Sequence, residues 1–345
     1  MCSDLATTAV IILCRNEIAT IKQVVASLPR GLGDWFVVDN GSDPLCSNFI
    51  QKFIPSEHLI SIKKPLGVGG AFLEGCKSLK PTIKWICKLD GDGQFNNVAI
   101  HQFLMRATAC KETLVKTARC NTRGWWIDCQ RSKTRHWGNQ INNLLVSMAS
   151  GYYLLQDATS GLFVIQRPAL DALIYQGRLK NDYRFESSLI IALGEFGADI
   201  LELAVPIIYD YSRKRTFSGR SLALPLLLEN LVGLFRRMLR NHLLYRLSGG
   251  GVLFIIGIGF IGAGLLLSVI ASIKAISQGV PTTPGISTGA ASLLSWGLIS
   301  IVGFLTYDFA CTFRNYRNKT AFDLWVPIAT QGIHATKNHQ PKRPS

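Results

Sequence analysis

One stretch of the chain decides the fold, and it reads WICKLDGDGQ from Trp85 to Gln94. The apolar run that ends at Leu89 is typical of a buried β-strand, and Asp90 and Asp92 follow it directly. Two carboxylates two residues apart at the end of such a strand can reach one hard cation together. The stretch therefore predicts a Mg²⁺ or Mn²⁺ site at a sheet edge, with Asp90, Asp92 and Gln94 as oxygen ligands.

Simpler interpretations of this stretch compete with a metal site. An Asp-Gly turn needs no metal. A solvated surface loop is also open, although it fits less well directly after an apolar strand. An EF-hand calcium loop begins in a similar way, but Phe95 stands where that motif requires glycine.

The sequence before Trp85 repeats a pattern of apolar strand, polar turn and helix. The predicted elements are strands at Ala9–Leu13, Trp35–Val38 and Leu59–Ile62, and helices at Ile21–Leu28 and Ala71–Leu79. Alternating strands and helices predict an α/β fold with a mostly parallel sheet and helices on both faces. Ligands bind at the carboxyl ends of the strands in such sheets, which is where Asp39 and Asp90 fall.

A glycine-rich turn, Gly67 to Ala71, follows the third predicted strand and opens a helix. Glycines allow close backbone approach, and a helix N-terminus favours anions. An ordinary strand-to-helix turn is the alternative. The turn is not a dinucleotide-binding fingerprint, because Phe72 occupies the position of its third glycine.

Basic residues cluster in two later segments. The first holds Arg119, Arg131, Lys133 and Arg135, and the second holds Arg213, Lys214, Arg215 and Arg220 around Ser218. Guanidinium groups are the donors that phosphate substrates require. Solvated loops, or general attraction to anionic lipids in the second segment, are the alternatives.

Two uncharged apolar stretches, Val252–Ile273 and Gly289–Tyr307, are each long enough to cross a bilayer as a helix. Arginines precede the first stretch, and the basic run Arg314–Lys319 follows the second. The positive-inside rule then places both flanks in the cytoplasm. No signal peptide is evident at the N-terminus. We expect an integral protein of the cytoplasmic membrane, with its catalytic domain facing the cytoplasm.

The segment before the first span is predicted to be an amphipathic interfacial helix. Leu231, Leu234, Phe235 and Met238 recur at helical spacing, and Arg236, Arg237 and Arg240 lie on another face. The spans contain small residues, from Gly257 to Gly264, that suit packing against a partner, so a homo-oligomer is an expected assembly.

Composition narrows the function classes. The 345 residues are 48% hydrophobic and 17% charged, which excludes disorder. The net charge of +15 suits an anionic membrane face or phosphate-bearing substrates. The basic residues lie beside the apolar spans and no nucleic-acid motif appears, so we expect no nucleic-acid partner. Nine scattered cysteines indicate reduced thiols rather than disulfides or zinc ligands.

The ordered set of motifs resembles the family 2 glycosyltransferases. Within that family it is similar to the polyprenyl-phosphate branch, which includes dolichol-phosphate mannosyltransferase and bacterial polyprenyl-phosphate glucosyltransferases. The motifs that carry the resemblance are Ile11–Glu17, Val37–Ser42, Leu66–Ala71, Lys88–Gln94, Asp157–Leu162, Tyr183–Glu186 and Val205–Ile207 with Arg213.

The resemblance implies a GT-A-type fold and a set of site residues. The nucleotide would contact Leu13, Arg15, Glu17, Val38, Asn40, Gly67, Gly91, Gln94 and Ser221. The metal and diphosphate would be held by Asp90, Asp92 and Gln94. The acceptor phosphate would be bound by Arg119 and by Arg131 or Arg135, and Arg213 with Ser218 or Ser221 would close over the diphosphate.

Three departures from the family pattern stand out. Leu13 replaces the usual proline of the opening strand, and Asn40 replaces a second aspartate. The spacing to Arg213 is one residue longer than usual, and Leu222 replaces a lysine, so Arg215 could take the role of Arg213.

By this resemblance the chain would transfer a sugar from a UDP- or GDP-linked donor to a polyprenyl phosphate, with inversion and with Mg²⁺ or Mn²⁺. A processive polysaccharide synthase is one alternative, although no Arg-Trp pair occurs, and a non-catalytic membrane scaffold is another. The expected domains are a catalytic domain at 1–219, juxtamembrane helices at 220–247, a two-helix anchor at 248–313 and a basic tail at 314–345.

Overall fold

The computed structural model describes residues 4–120, 133–207, 219–245, 247–279 and 281–315. Its centre is a seven-stranded sheet with the order β3-β2-β1-β4-β6-β5-β7. The strands are β1 Thr8–Cys14, β2 Asp34–Asn40, β3 Leu59–Ile62, β4 Trp85–Asp90, β5 Leu114–Cys120, β6 Phe163–Gln166 and β7 Ile200–Pro206. Only β6 runs antiparallel to its neighbours, so the predicted mostly parallel sheet is confirmed.

Helices cover both faces of this sheet. They are α1 Ile18–Ala26, α2 Pro44–Phe53, α3 Gly67–Lys77, α4 Asn97–Ala107, α5 Lys133–Ser150, α6 Arg167–Tyr175 and α7 Phe185–Glu195. The strands alternate their side chains between two apolar cores, so that Ile11 faces one and Ile12 the other. Both cores are closed because β1, β2 and β4 are buried on each side.

Three further helices follow the sheet: α8 Gly219–Leu239, α9 Gly249–Gln278 and α10 Pro284–Asn315, with a π-helical turn, Arg240–Leu244, between α8 and α9. The segments Gly249–Gln278 and Pro284–Cys311 are long and apolar enough to cross a membrane. Most of their side chains are exposed, unlike those of a buried core helix.

Glycines of α9 pack against α10 within one chain. A β-carbon on Gly257 would collide with Ile301, and one on Gly264 would collide with Leu294. The close approach therefore forms the hairpin itself, and the homo-oligomer stays a prediction.

Arg236, Arg237 and Arg240, at the end of α8 and the start of the π-helical turn, do not share one face, contrary to the sequence-based expectation. Arg236 and Arg240 approach Glu195, whereas Arg237 is 2% exposed and bonds Asp308. Neighbouring helix residues point about 100° apart, which separates Arg237 from the other two. Met238 is likewise buried, while Leu231 and Phe235 are exposed.

Candidate active site

The candidate site lies where β1, β2 and β4 end together. Leu13 is in register with Val38 on one side and with Asp90 on the other. The Gly91 amide donates to the Leu13 carbonyl at 2.8 Å, which holds the Asp90–Gln94 turn against the end of β1. The parallel register thus places both predicted carboxylates at the carboxyl edge of the sheet.

A buried lysine fixes the position of Asp90. Lys88 precedes Asp90 by two residues, so the two side chains share one face of β4. The Lys88 ammonium is fully buried and lies 2.6 Å from Asp90 Oδ1 and 2.9 Å from Glu186 Oε1. Burial lowers the pKa of Lys88, but Asp90 and Glu186 outweigh it and raise that pKa above its ordinary value. We call these three residues the Lys88 cluster.

The Lys88 cluster carries an excess of negative charge at an open edge. Two carboxylates face one ammonium among its members, and the Asp90 side chain is 37% exposed. An unbalanced carboxylate that reaches solvent can attract a further cation.

Asp92 is oriented by its own turn. Its Oδ1 accepts from the Gln94 amide at 3.2 Å, and its Oδ2 accepts from Gln94 Nε2 at 2.5 Å. Gly93 has a φ of 70°, and a β-carbon there would collide with Thr20. The turn therefore requires glycine between the carboxylate and the amide.

Gly161 lies directly against Asp90. Lys88 Nζ donates to the Gly161 carbonyl at 3.3 Å, and a β-carbon on Gly161 would clash with the Asp90 carboxylate. The resemblance pointed to Asp157–Leu162 without a structural reason, and this contact supplies one. The segment from Gln156 to Gly161 forms the floor beside Asp90.

A second buried lysine anchors the start of this floor segment. Lys116 Nζ lies 3.0 Å from Glu202 Oε1 and also donates to the Asp157 carbonyl. Glu202 accepts from the Gln156 amide at 2.7 Å, and Asn143 of α5 donates to the Gln156 carbonyl at 2.6 Å. The floor segment is thus held by β5, β7 and α5 together.

Arg119 forms a two-pronged ion pair with Asp157. Nε donates to Oδ2 at 2.6 Å and Nη2 to Oδ1 at 2.8 Å. Burial raises the pKa of Asp157, but Arg119 and Lys116 outweigh it and hold that pKa well below its ordinary value. Arg119 also donates to Thr159 at 2.8 Å. The structure therefore places Arg119 as a brace of the floor segment, and its role toward an acceptor phosphate stays a prediction.

The predicted nucleotide residues are spread around the ends of β1 and β2. Arg15 is exposed, Glu17 and Leu13 are half-buried, and the Val38 side chain is wholly within the core. Asn40 Nδ2 donates to the Gly67 carbonyl at 3.1 Å, while its Oδ1 accepts from the Leu66 amide at 2.9 Å. Asn40 thus uses both ends of its amide to hold the glycine-rich turn.

The glycine-rich turn packs against the loop before α7. Gly67 has a φ of 82°, and a β-carbon there would collide with the Asn181 carbonyl. The Gly70 amide donates to that carbonyl at 2.8 Å. The glycines therefore permit a close backbone approach, and anion binding at Gly67 stays a prediction.

Several predicted site residues fall outside the part of the chain that the structure describes. These are Arg131, Arg213, Arg215 and Ser218. Arg135 lies in α5 and Ser221 in α8, but their side chains are not among those described.

The donor set at the sheet edge fits Mg²⁺ or Mn²⁺. Within the described ranges, no three His, Cys, Asp or Glu side chains form a cage for a metal ion. Mg²⁺ does not need one, because it usually takes one or two carboxylates and completes its octahedron with water and substrate phosphates. Asp90 and Asp92 would supply the carboxylates and Gln94 an amide oxygen, and this ligand set stays a prediction.

Sequence reasoning missed the charged residues that hold this edge together. Lys88, Lys116 and Glu202 each interrupt an apolar strand, and all three are buried. A charged residue within a buried strand is costly unless it is paired, so that interruption is itself a signal of an internal ion pair.

Comparisons with known proteins concern the fold of the sheet domain. Residues 9–174, somewhat less than half of the chain, match the family model described as glycosyl transferase family 2. No curated protein sequence matches the chain. Among solved structures, glucosyl-3-phosphoglycerate synthase from Mycobacterium tuberculosis in complex with uridine-diphosphate has a TM-score of 0.51 at 16% identity, over 67% of this chain and 79% of that chain.

The same synthase was solved with metal ions. Its complex with Mn²⁺ and uridine-diphosphate-glucose has a TM-score of 0.50 at 15% identity, over 67% of this chain and 78% of that chain. Its complex with Mg²⁺ and uridine-diphosphate has a TM-score of 0.50 at 14% identity, over 67% and 79%. At such identity the likeness concerns the fold.

The seven-stranded, mostly parallel sheet flanked by helices is a GT-A-like fold of the nucleotide-sugar glycosyltransferase type. More narrowly, the chain carries a glycosyl transferase family 2 domain over residues 9–174.

Proposed function

We propose that the chain transfers a sugar from a nucleotide sugar to a polyprenyl phosphate at the cytoplasmic face of a membrane, with Mg²⁺ or Mn²⁺. One observation carries this proposal: the open carboxylate edge belongs to a domain that is followed, in the same chain, by two apolar helices of spanning length. The solved synthases with Mn²⁺ or Mg²⁺ and a uridine diphosphate support the choice of donor and metal.

The surface of α8 supports an acceptor that resides in a bilayer. Leu224, Leu228, Leu231 and Phe235 are exposed and recur every three or four positions, and the exposed Leu227 and Val232 lie beside them. Such a stripe suits the boundary between headgroups and acyl chains. A water-soluble acceptor would require neither this stripe nor the apolar hairpin.

The transfer is an in-line displacement. An oxygen of the lipid phosphate forms a bond to the anomeric carbon of the sugar, and the bond from that carbon to the nucleoside diphosphate breaks, which inverts the configuration. The acceptor is already an anion near neutral pH, so this attack requires no strong base. Asp90, Asp92 and Gln94 would hold the metal, which when bound neutralises charge on the departing diphosphate.

The protein contributes position and electrostatics. Lys88 and Gly161 fix the Asp90 carboxylate, and the Gln94 amide orients Asp92. Groups set before the reaction need no reorganisation during it, which is the main source of stabilisation in such sites. The Arg119–Asp157 pair keeps the floor segment in place beside them.

The test is a panel of UDP- and GDP-linked sugars incubated with the purified full chain, Mn²⁺ and undecaprenyl phosphate. Formation of a glycosyl lipid from one donor, abolished by EDTA, is the expected result. A parallel arm offers 3-phosphoglycerate, the acceptor suggested by the synthases of similar fold. Transfer to 3-phosphoglycerate alone, or binding of no nucleotide at all, would contradict the lipid acceptor.

A further inference from the structure

An aspartate lies within the second apolar helix. Asp308 belongs to the segment Pro284–Cys311 and is 1% exposed. An ionisable side chain at such a position is costly and needs internal partners. The partners of Asp308 therefore indicate what its burial contributes to the structure.

Three side chains surround the Asp308 carboxylate. Arg237 of α8 donates from Nη1 to Oδ1 at 3.0 Å and from Nη2 to Oδ2 at 2.5 Å. His242 Nε2 lies 2.8 Å from Oδ1, and the Tyr153 hydroxyl donates to Oδ2. We call these four residues the Asp308 cluster.

The Asp308 cluster joins six parts of the chain. Arg237 Nη2 also donates to the Met148 carbonyl of α5 at 2.8 Å. His242 Nδ1 lies 2.8 Å from Ser248 Oγ, and that hydroxyl caps α9 by accepting from the Gly251 amide at 3.1 Å. The end of α5, Tyr153, α8, the π-helical turn, the start of α9 and the end of α10 thus meet at one carboxylate.

The packing around the Asp308 cluster is too tight for the neighbouring helices to slide past one another. A β-carbon on Gly251 would collide with the His242 carbonyl, and one on Gly250 would collide with the Tyr307 ring. His242 also stacks edge-on with Phe304 at 5.3 Å between ring centroids. Directional bonds inside a tight apolar contact fix both the height and the rotation of the hairpin.

The cluster is also close to the candidate site along the chain. Tyr153 lies three residues before Gln156, where the floor segment that carries Asp157 and Gly161 begins. The end of α5 is bonded to Arg237, and Asn143 of the same helix is bonded to Gln156 and Ala158. A change at the Asp308 cluster should therefore affect both Tyr153, which precedes the floor segment in the chain, and α5, which is hydrogen-bonded to that segment.

Apolar contacts alone would bind the hairpin without a desolvation cost. Replacing buried ion pairs by apolar residues is often neutral or stabilising, so such pairs are poor devices for stability. Their attested use is to select one arrangement among several. The Asp308 cluster meets that description, because it fixes how the sheet domain sits on its anchor.

We propose that Asp308 is a positioning residue: it couples the membrane hairpin to the floor segment and so sets how the candidate site is presented to an acceptor in the bilayer. The consequence for transfer rests on the proposed function. The coupling itself does not, because it is a mechanical link between α10 and residues 148–161.

The experiment compares Asp308→Asn with wild type in lipid nanodiscs. Hydrogen exchange is followed in residues 148–161, and transfer is measured to a long-chain polyprenyl phosphate in the bilayer and to a short-chain, water-soluble analogue. We expect faster exchange in 148–161 and a loss of about tenfold or more with the bilayer acceptor, since small misplacements are costly in rate. Transfer to the soluble analogue should fall by a clearly smaller factor, because that acceptor does not depend on how the hairpin holds the site against the bilayer.

Two further variants support the comparison of Asp308→Asn with wild type. Tyr153→Phe removes one hydroxyl and leaves the Arg237–Asp308 pair, so it keeps the test open if Asp308→Asn fails to fold, and it should show the same pattern in weaker form. Asp171→Asn changes an aspartate that is 60% exposed on α6 and should change neither readout.

The outcomes are distinct. Equal loss with both acceptors would reduce Asp308 to a residue of general stability and overturn the proposal, as would unchanged exchange in 148–161. If wild type transfers sugar to neither acceptor, the proposed function fails, and the exchange readout alone decides the coupling: acceleration confined to 148–161 supports it, and its absence overturns it.

Discussion

Two buried ionic clusters in this molecule are built from similar groups but differ in balance. In the Lys88 cluster two carboxylates share one ammonium, and the Asp90 side chain is 37% exposed. In the Asp308 cluster one carboxylate meets one guanidinium, and both side chains are 2% exposed. An imidazole and a phenol complete the second cluster without adding a second carboxylate.

The difference distinguishes a candidate cation-binding site from a cluster that only holds structural elements together. A balanced, closed pair has satisfied its own charge and can only hold elements together. An unbalanced cluster at the surface has an excess of negative charge that a bound metal ion can neutralise. Burial alone would not distinguish them, since Lys88 and Arg237 are both among the largest fully buried side chains.

The largest expected effect comes from removing a predicted metal ligand at the carboxyl edge of the sheet. Asp92→Ala should lower transfer by about 10³-fold, because a metal ligand contributes several kcal/mol of charge stabilisation. Asp92 is only half-buried and lies in the turn after β4, outside the apolar cores, so the fold should survive. Turnover and Mn²⁺ binding by electron paramagnetic resonance measure the loss.

The matched control for that variant is Asp171→Ala, which removes an exposed carboxylate from α6 and should retain full activity. Undiminished turnover and Mn²⁺ affinity in Asp92→Ala would remove Asp92 from the metal site.

Removal of the Lys88 ammonium, which Asp90 and Glu186 share, should have the next largest effect. Lys88→Met leaves Glu186 buried without its ammonium partner, and we expect the free energy of unfolding to fall by about 3–5 kcal/mol. Denaturant unfolding in detergent measures it.

Lys77→Met is the matched control, because the Lys77 side chain is 71% exposed and its pair with Glu74 should contribute about 0–1 kcal/mol. Equal stability losses in the two variants would mean that the Lys88 cluster is no more than a surface ion pair.

Acid should break the Arg119–Asp157 brace gradually. The folded pKa of Asp157 lies below the ordinary value of 3.8, so the brace stabilises fully above that value and weakens as pH falls through it toward the folded pKa. Wild type should lose about 1 kcal/mol more than Arg119→Met between roughly pH 5 and pH 3. Thermal unfolding across that range measures the difference, with exposed Arg30→Met as control.

Parallel curves for wild type and Arg119→Met would show that Asp157 titrates normally in the folded chain. In that case the two-pronged pair contributes no acid sensitivity.

The sequence was sufficient for the parts of the molecule that are encoded locally. The strands around Ile11, Val37 and Ile86 are mostly apolar, and each was predicted to within two residues at either end. The Asp90–Gln94 turn is equally local. The two apolar helices were recognised from length and composition, although each extends beyond the predicted span.

The buried ion pairs that connect separate elements could not be predicted from the sequence, because the two partners of each pair are distant in the chain. Lys116 and Glu202 are 86 residues apart, and Arg237 and Asp308 are 71 apart. Nothing local to Arg237 distinguishes it from Arg236, and only the packed structure shows which of them turns inward. The role of Asn40 was also hidden, since its partner Gly67 lies on another strand-to-helix connection.

The smallest expected effect concerns that asparagine. Asn40→Asp restores the aspartate usual in the family pattern, yet a carboxylate cannot donate to the Gly67 carbonyl 3.1 Å away. Two acceptors would then face each other, and we expect a loss of about 1–2 kcal/mol in stability. Thermal unfolding with and without UDP and Mn²⁺ measures it.

Asn97→Asp, in the exposed first turn of α4, is the control and should be neutral or slightly stabilising, because a negative charge suits a helix N-terminus. If Asn40→Asp instead stabilises the chain and tightens UDP binding, Asn40 would face the base rather than the glycine-rich turn. The open edge would then extend from the metal carboxylates to β2, and Asn40 would belong to the site and not to the closed framework around it.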